Sequence, residues 1–167
     1  HRGLTGASQL NRNLQEKINP DAKGIEHREQ WFRVGDKIMQ QQNDYDKQIF
    51  NGDLGRVVDC DQDSKELYVK FEQTHIHYKS NELDQLTLAY AITVHKSQGS
   101  EYSAVIMPIT TQHYMMLQRN LLYTAITRGK QLVVLIGTSA AVKLAVENQG
   151  NFNRYTGLLN QFYQWGD

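Results

Sequence analysis

The sequence has little cysteine or proline and no net charge. Its 167 residues include one cysteine, two prolines, 18 acidic and 18 basic residues. A single cysteine excludes an internal disulfide and favours a reducing compartment such as the cytoplasm. Zero net charge argues against a general polyanion-binding protein but is compatible with a local phosphate site. No apolar run approaches the ~20 residues that a membrane-spanning helix needs.

The composition is nevertheless sufficient for a folded core. Hydrophobic residues make up 40% of the chain and charged residues 22%, which indicates a globular rather than a disordered protein. The length suits one medium domain with a small insertion. Since the sequence begins at His1 and not at a methionine, we expect it to be a piece of a longer protein.

One stretch, from Leu86 to Tyr102, combines an apolar run with a polar cluster. The run up to Val94 predicts a buried strand, and a second buried strand is predicted over 104–109. A strand that ends in polar residues is typical of a ligand site at the carboxyl edge of a sheet. The polar cluster offers groups suited to a nucleotide: a glycine that permits close backbone approach, a cation for phosphate and a carboxylate for a sugar hydroxyl, namely Gly99, Lys96 and Glu101.

A second stretch, 120–137, predicts a helix followed by a buried strand over 132–136, with Arg128 at the helix end. Together the predicted elements alternate between strand and helix, which indicates an α/β layer fold with a mostly parallel sheet. Other predicted elements are a helix from Ala7 to Ile18, a loop over 21–30, strands within 31–42 around a Gly-Asp turn, a helix over 112–128 and a helix over 139–148 with Ser139 as its N-cap.

The segment 52–85 has the rhythm of short strands separated by turns. Leu67, Val69 and Phe71 alternate with polar or amphipathic neighbours, as in a half-buried strand. We expect a small β-barrel inserted in the larger domain. His75 and His77 share one strand face, where cross-strand packing is a better explanation than a metal site. The lone Cys60 is expected to be a buried strand residue.

The polar segment 43–52 has two interpretations. Asn43 and Tyr45 can face nucleic acid, because amides bind phosphate and tyrosine stacks on bases. Alternatively the segment is a polar turn with Tyr45 and Phe50 packed in the core. Composition does not separate the two.

The chain contains no G-x-x-x-x-G-K-[ST] phosphate loop and no apolar strand ending in an acidic pair for Mg²⁺. It therefore cannot form a complete ATPase site, although it can supply the opposite half of one. Arg128 then has two interpretations: a group that reaches a γ-phosphate, or a cation that stabilises the end of its helix by about 0.3–1 kcal/mol.

The sequence TVHKSQGSEY, together with the later sequence YTAITRGK, resembles motifs V and VI of superfamily 1 helicases, in particular of the RecD branch. This resemblance implies a RecA-like (P-loop NTPase-type) parallel-sheet domain over 1–50 and 86–150. It also implies an inserted SH3-like β-barrel over 51–85, which the family uses to hold single-stranded DNA. The resemblance does not extend to 151–167, where the spacing of apolar residues predicts a tail helix.

The resemblance also implies roles for individual residues. Arg128 would be the arginine finger, while Arg2, Gly99 and Glu101 would bind nucleotide. Thr93, His95 and Lys96 would contact DNA on the other side of the same loop, and Asn43 and Tyr45 would line its route.

The implied ligands and partners follow from the same family. They are ATP, Mg²⁺ with its ligands in the missing half, single-stranded DNA with 5′-to-3′ movement, the N-terminal RecA-like domain of the same protein, and other subunits of a nuclease–helicase complex. Two rival hypotheses are a non-catalytic nucleic-acid-binding adaptor and the helicase part of a conjugative relaxase. The sequence upstream of His1 would distinguish them.

Overall fold

Two compact units make up the computed structural model, one up to Gly99 and one from Ser100. The structure describes residues 6–72, 74–111 and 116–149. The predicted tail helix over 151–167 lies outside the described residues. Within them, no helix has both the length and the apolar character that crossing a bilayer requires.

Among the described residues, the first unit contains one α-helix and seven strands. The elements are α1 (Ala7–Ile18), β1 (Gly24–His27), β2 (Gln30–Arg33), β3 (Lys37–Gln40), β4 (Leu54–Asp61), β5 (Glu66–Phe71), β6 (Thr74–Tyr78) and β7 (Leu86–Leu88), with short 3-10 helices at Ser80–Gln85 and His95–Ser97. An antiparallel hairpin pairs β1 with β2, and a five-stranded antiparallel sheet has the order β6-β5-β4-β3-β7.

The core of this unit follows the predicted alternation. Leu67, Val69 and Phe71 are buried on β5, whereas Tyr68 and Lys70 between them are exposed. Each buried side chain of this size contributes about 1.5–3 kcal/mol of transfer free energy. Cys60 is buried on β4, as expected.

The five-stranded sheet is open, so the predicted closed barrel is wrong in that respect. Its edges are β6 and β7, which are joined by the 3-10 helix Ser80–Gln85 and are not hydrogen-bonded to each other among the described residues. Leu83 of that helix is buried in the core. Strands β3 and β7 lie before and after the predicted insertion in the sequence, and they belong to the same sheet. The limits of the insertion, 51–85, stay a prediction.

The predicted bounds of α1 are confirmed. Its buried side chains, however, are two amides, Asn11 and Gln15, whereas Ile18 is exposed. This helix is therefore held to the rest of the unit mainly through hydrogen bonds.

The loop predicted over 21–30 is wrong, because β1 lies within it. The hairpin turn between β1 and β2 is Arg28–Glu29, and both residues have positive φ, 46° and 65°. Such turns are usually signalled by Asn-Gly or Asp-Gly. With two long charged residues in that turn, the usual hairpin signal is missing from the sequence.

The strand predicted from Leu86 to Val94 ends at Leu88. The Ala89 N–H still donates to the Lys37 carbonyl at 2.8 Å. Two residues later the backbone is bonded by the side chain of Asn11 instead of by a neighbouring strand. The apolar run therefore continues as irregular backbone.

In the second unit, β8 (Tyr102–Ile109) and β9 (Gly129–Gly137) form a parallel pair, as predicted. Helix α2 is Arg119–Ile126, shorter than the predicted 112–128, of which 112–115 lie outside the described residues. Helix α3 is Ser139–Glu147, and its N-cap is Thr138, not Ser139, because the Thr138 hydroxyl accepts from the Ala141 N–H.

The two parallel strands are only partly buried, which corrects the prediction of two buried strands. Ile106, Leu132 and Ile136 are 66%, 54% and 56% exposed. The apolar contacts of this unit centre on Ile109 and on the facing sides of α2 and α3. A Cβ on Gly137 would overlap the Ile109 carbonyl oxygen, so only glycine permits this close pairing at the strand end.

Candidate nucleotide and nucleic-acid sites

Arg128 follows the end of α2, and its guanidinium donates to three neutral oxygens among the described residues. Its Nε donates to the Thr124 carbonyl at 3.3 Å, Nη1 to the Ser100 carbonyl at 3.2 Å and Nη2 to the Thr127 hydroxyl at 3.3 Å. No ion pair joins it to a carboxylate in the part of the chain that the structure describes. These long, neutral bonds orient the cation without neutralising it.

Glu101 lies one residue beyond Ser100 and pairs with Lys130, with 2.8 Å between Oε2 and Nζ. Both side chains are exposed to solvent. The hydrogen bond from Lys130 lowers the pKa of Glu101, and the charges of Lys130 and Arg128 lower it further. The carboxylate is therefore ionised at neutral pH and lies within the field of Arg128. The sequence analysis did not predict this pair.

Gly99 has a φ of +82°, and a Cβ placed there would meet nothing within 4 Å. The expected left-handed backbone is confirmed, and the open space leaves the peptide group accessible. Arg2, the other predicted nucleotide-binding residue, lies outside the described residues.

Thr93, His95 and Lys96 lie on and before the 3-10 helix His95–Ser97, not at a strand end. The Thr93 hydroxyl accepts from the Lys96 N–H at 3.3 Å, which brings these two residues together. His95 is exposed. Lys96 Nζ donates to the Gln41 amide oxygen at 2.6 Å, a neutral partner that holds the ammonium in place and leaves its charge available.

A cleft of about 650 Å³ in the first unit is lined by Thr93 and Lys96. Trp31 also lines it and is 43% exposed, although its neighbour Phe32 is buried. Sequence reasoning missed Trp31, and the signal was available: on a strand that buries one aromatic residue, the adjacent one faces outwards. The cleft walls carry arginine and glutamate side chains in comparable number, so its charge is mixed.

Tyr45 is 74% exposed and Phe50 is 45% exposed. The interpretation that packed both rings in the core is therefore wrong. The rings meet edge to face with 5.9 Å between centroids. Asn43 donates to the Tyr45 hydroxyl at 3.4 Å and accepts from the Asn51 N–H at 2.9 Å, so the predicted residues lie together on a structured surface loop.

A half-buried lysine of this loop, Lys47, connects it to the sheet. Lys47 Nζ lies 2.6 Å from Glu82 Oε1, 3.7 Å from Asp44 Oδ2 and 4.5 Å above the Tyr78 ring. The hydrogen bond from Lys47 is the main cause that lowers the pKa of Glu82. Burial raises the pKa of Tyr78, whose hydroxyl donates to Gln40. No sequence pattern had indicated this cluster.

The predicted cross-strand packing is confirmed for His77. His77 stacks on Tyr68 with 4.8 Å between ring centroids and lies 2.7 Å from Glu66 Oε2. Across the described ranges, no group of three His, Cys, Asp or Glu side chains is arranged to hold a metal ion.

Two family models match successive parts of the chain. Residues 10–71 match the SH3 domain of ATP-dependent RecD-like DNA helicases, and residues 88–136 match the UvrD-like helicase C-terminal domain. A similar curated protein is the ATP-dependent RecD2 DNA helicase of Deinococcus radiodurans, 38% identical over 160 residues, which are 96% of this chain and 22% of that protein. The chain belongs to the RecD-like helicase family.

A second relative of this RecD-like chain is the RecBCD enzyme subunit RecD of Mycolicibacterium smegmatis. It is 33% identical over 157 residues, covering 94% of the chain and 27% of the relative. The chain thus spans about a quarter of the length of these relatives.

Solved structures support the fold of the RecD-like chain. A Pif1 helicase from Bacteroides, crystallised with ADP-AlF3 and ssDNA, has a TM-score of 0.62 at 19% identity over 96% of this chain and 43% of its own. A Pif1 structure described for DNA unwinding at forked dsDNA gives 0.62 at 20% identity, over 96% and 42%. The predicted fold class, RecA-like α/β with an SH3-like part, is confirmed.

Proposed function

We propose that this chain is the carboxy-terminal motor half of an ATP-dependent RecD-like DNA helicase. It supplies one side of the nucleotide site. Arg128 reaches the γ-phosphate, Glu101 binds the ribose, and the Gly99 backbone and Arg2 lie near the phosphates. An arginine inserted in this way typically contributes ~10³–10⁵ in rate.

The state of Arg128 carries the proposal. The guanidinium is oriented by three neutral oxygens, one of them the Ser100 carbonyl beside Glu101, and no carboxylate pairs with it among the described residues. It is thus held ready for an anion that approaches from outside, and it needs no rearrangement of an existing ion pair.

ATP and Mg²⁺ would be held mainly by the N-terminal RecA-like domain of the same protein, since this chain has neither a phosphate loop nor an acidic strand end. Mg²⁺, when bound, neutralises charge on the phosphate oxygens. The contribution of this chain is to place Arg128 and to keep Glu101 ionised.

The DNA side of the proposal uses Thr93, His95 and Lys96, with Asn43 and Tyr45 as further contacts to single-stranded DNA. The proposed DNA residues, within 93–96, are followed directly by the proposed nucleotide residues, within 99–101, in one stretch of sequence. Closure of the two motor halves on ATP would therefore shift the DNA contacts, and repeated closure would move the protein 5′ to 3′. The cytoplasm is the proposed location, and further subunits of a nuclease–helicase complex are proposed partners.

The test is ATP hydrolysis by the full-length protein, measured without DNA, with duplex DNA and with single-stranded oligonucleotides. We expect hydrolysis that depends on single-stranded DNA. Binding of single-stranded DNA without any hydrolysis would contradict the motor assignment and support the adaptor hypothesis.

A further inference from the structure

The segment 89–91 leads into the predicted DNA-contacting residues. Its first residue, Ala89, still bonds to Lys37 of β3, and beyond it no strand pairs with Tyr90 or Ala91 among the described residues. Strand β7 ends at Leu88, yet Ala89 is buried and Ala91 is half-buried. Polar backbone groups in such positions need partners, because an unpaired buried N–H or carbonyl costs about 1–3 kcal/mol. The partner of Ala91 comes from α1.

Asn11 of α1 makes a reciprocal pair of hydrogen bonds with the Ala91 backbone. Its Nδ2 donates to the Ala91 carbonyl at 2.8 Å, and its Oδ1 accepts from the Ala91 N–H at 2.9 Å. The side chain is only 7% exposed. One amide thus takes the place of a neighbouring strand and fixes both backbone groups at once.

Tyr90 gives the same segment a second attachment. Its hydroxyl donates to Asp36 Oδ1 at 2.8 Å, and Asp36 is fully buried. The other Asp36 oxygen accepts from Gln15 Nε2 at 2.5 Å and from the Arg33 N–H at 2.7 Å. Burial, together with the Asp36 hydrogen bond, raises the pKa of Tyr90 to about 12, so the hydroxyl remains a donor at working pH.

We propose that Asn11 is a positioning residue for DNA binding. It holds the loop through Ala91, so that Thr93, His95 and Lys96 meet the single-stranded DNA in a fixed geometry. This rests on the proposed function, because it assigns those three residues to DNA. Asn11 acts through the backbone and does not itself need to touch the ligand. The sequence offers no motif for this role, since its partner lies 80 residues away.

A purely structural role for Asn11 would predict something different. Gln15 is one turn further along α1, is 2% exposed and also makes two hydrogen bonds, to the Trp31 carbonyl and to Asp36. It does not bond to the 89–91 backbone among the described contacts. Asn11→Ala and Gln15→Ala therefore remove the same chemistry from the same buried helix face, and only the first releases the loop directly.

The experiment compares Asn11→Ala, Gln15→Ala and the unmodified full-length protein in two assays. The first is hydrogen exchange of the peptide covering 89–97. The second is steady-state ATP hydrolysis against the concentration of a single-stranded oligonucleotide, with thermal unfolding as the stability control. We expect Asn11→Ala to speed exchange in 89–97 and to raise the KM for the oligonucleotide roughly 2-fold to 30-fold. Gln15→Ala should lower stability to a similar degree with a smaller change in KM.

The outcomes separate the two proposals. Equal changes in KM for the two variants, or unchanged exchange in 89–97 with Asn11→Ala, would overturn the positioning role alone. If single-stranded DNA does not change the rate of ATP hydrolysis by the unmodified protein, the proposed function is overturned, and the DNA-positioning role with it.

Discussion

The two units differ in how completely their strands are covered. In the first, antiparallel strands linked by short connections bury a continuous core, with Leu67 and Val69 fully inaccessible. In the second, the parallel pair β8–β9 leaves Ile106, Leu132 and Ile136 more than half exposed. Parallel sheets are normally covered on both faces. The strands of the second unit thus have the apolar sequence that is typical of buried strands, although several of their side chains are exposed.

The units also differ in how their candidate residues are held. Lys96 and the loop around Tyr45 are fixed by short contacts with half-buried partners, Gln41 and Glu82. Arg128 and Glu101 are held only by weak or exposed contacts. We therefore expect variants in the second unit to change turnover with little effect on stability, and variants in the first to change stability or DNA binding.

The largest effect is expected from Arg128→Ala. Turnover in the full-length protein should fall by about 10³-fold or more, because charge developing on the transferred phosphate loses its counter-charge. Thermal unfolding should hardly change. Arg119→Ala is the control, since Arg119, the first residue of α2, is an arginine that likewise donates to a backbone carbonyl, that of Val146. Equal turnover in the Arg128 variant and the unmodified protein would contradict the expectation that variants in the second unit change turnover.

Two leucine truncations test the contrast in burial directly. Leu67 is fully buried and Leu132 is 54% exposed. Leu67→Ala should lower the free energy of unfolding by about 2–5 kcal/mol, while Leu132→Ala should stay within about 0.5 kcal/mol. Urea unfolding measures both. A comparable loss in the two variants would show that β9 is covered by something beyond the described contacts.

Lys96→Ala should weaken single-stranded DNA binding by the loss of one phosphate contact. In fluorescence anisotropy across a salt series, the slope of log affinity against log salt should decrease by about 0.7. Lys143→Ala is the control, because Lys143 is an exposed lysine of the second unit whose charge is paired with Glu147. A slope that changes equally in both variants would argue against a specific contact at Lys96.

The smallest effect concerns the pair Glu101–Lys130. The pKa of Glu101 is lowered in the folded state, chiefly by the Lys130 hydrogen bond. A lowered carboxyl pKa contributes stability above the ordinary pKa of glutamate, and that contribution is lost as pH falls through the folded value. Lys130→Met should therefore raise the pKa of Glu101 in an NMR titration. An unchanged titration would mean that the exposed pair does not persist in solution.

The sequence predicted the elements that depend on local pattern. The bounds of α1, the alternation on β5 and the parallel pairing of β8 with β9 all follow from periodicity or order. It failed where long-range partners decide the outcome. The strand from Leu86 stops at Leu88, opposite the start of its partner β3. An asparagine from α1 then bonds the backbone at Ala91, and no local pattern encodes either event.

The candidate sites show the same division. The sequence motifs placed Arg128 and Glu101 in one predicted site. In the structure the Arg128 guanidinium donates to the carbonyl of Ser100, the residue before Glu101. The half-buried lysine of the Tyr45 loop, Lys47, was missed because its partners come from three separate segments. Exposure of β9 was also missed, since an apolar strand sequence does not reveal which neighbours cover it.

The central claim is that Arg128 meets the γ-phosphate only as phosphoryl transfer proceeds. The most direct measurement is calorimetric binding of ADP and of ADP with aluminium fluoride, which imitates the transferring phosphate, to the full-length protein and its Arg128→Ala variant. We predict that the unmodified protein prefers the aluminium fluoride complex and that the variant binds ADP equally well but loses most of this preference. The same preference in both proteins would contradict the claim.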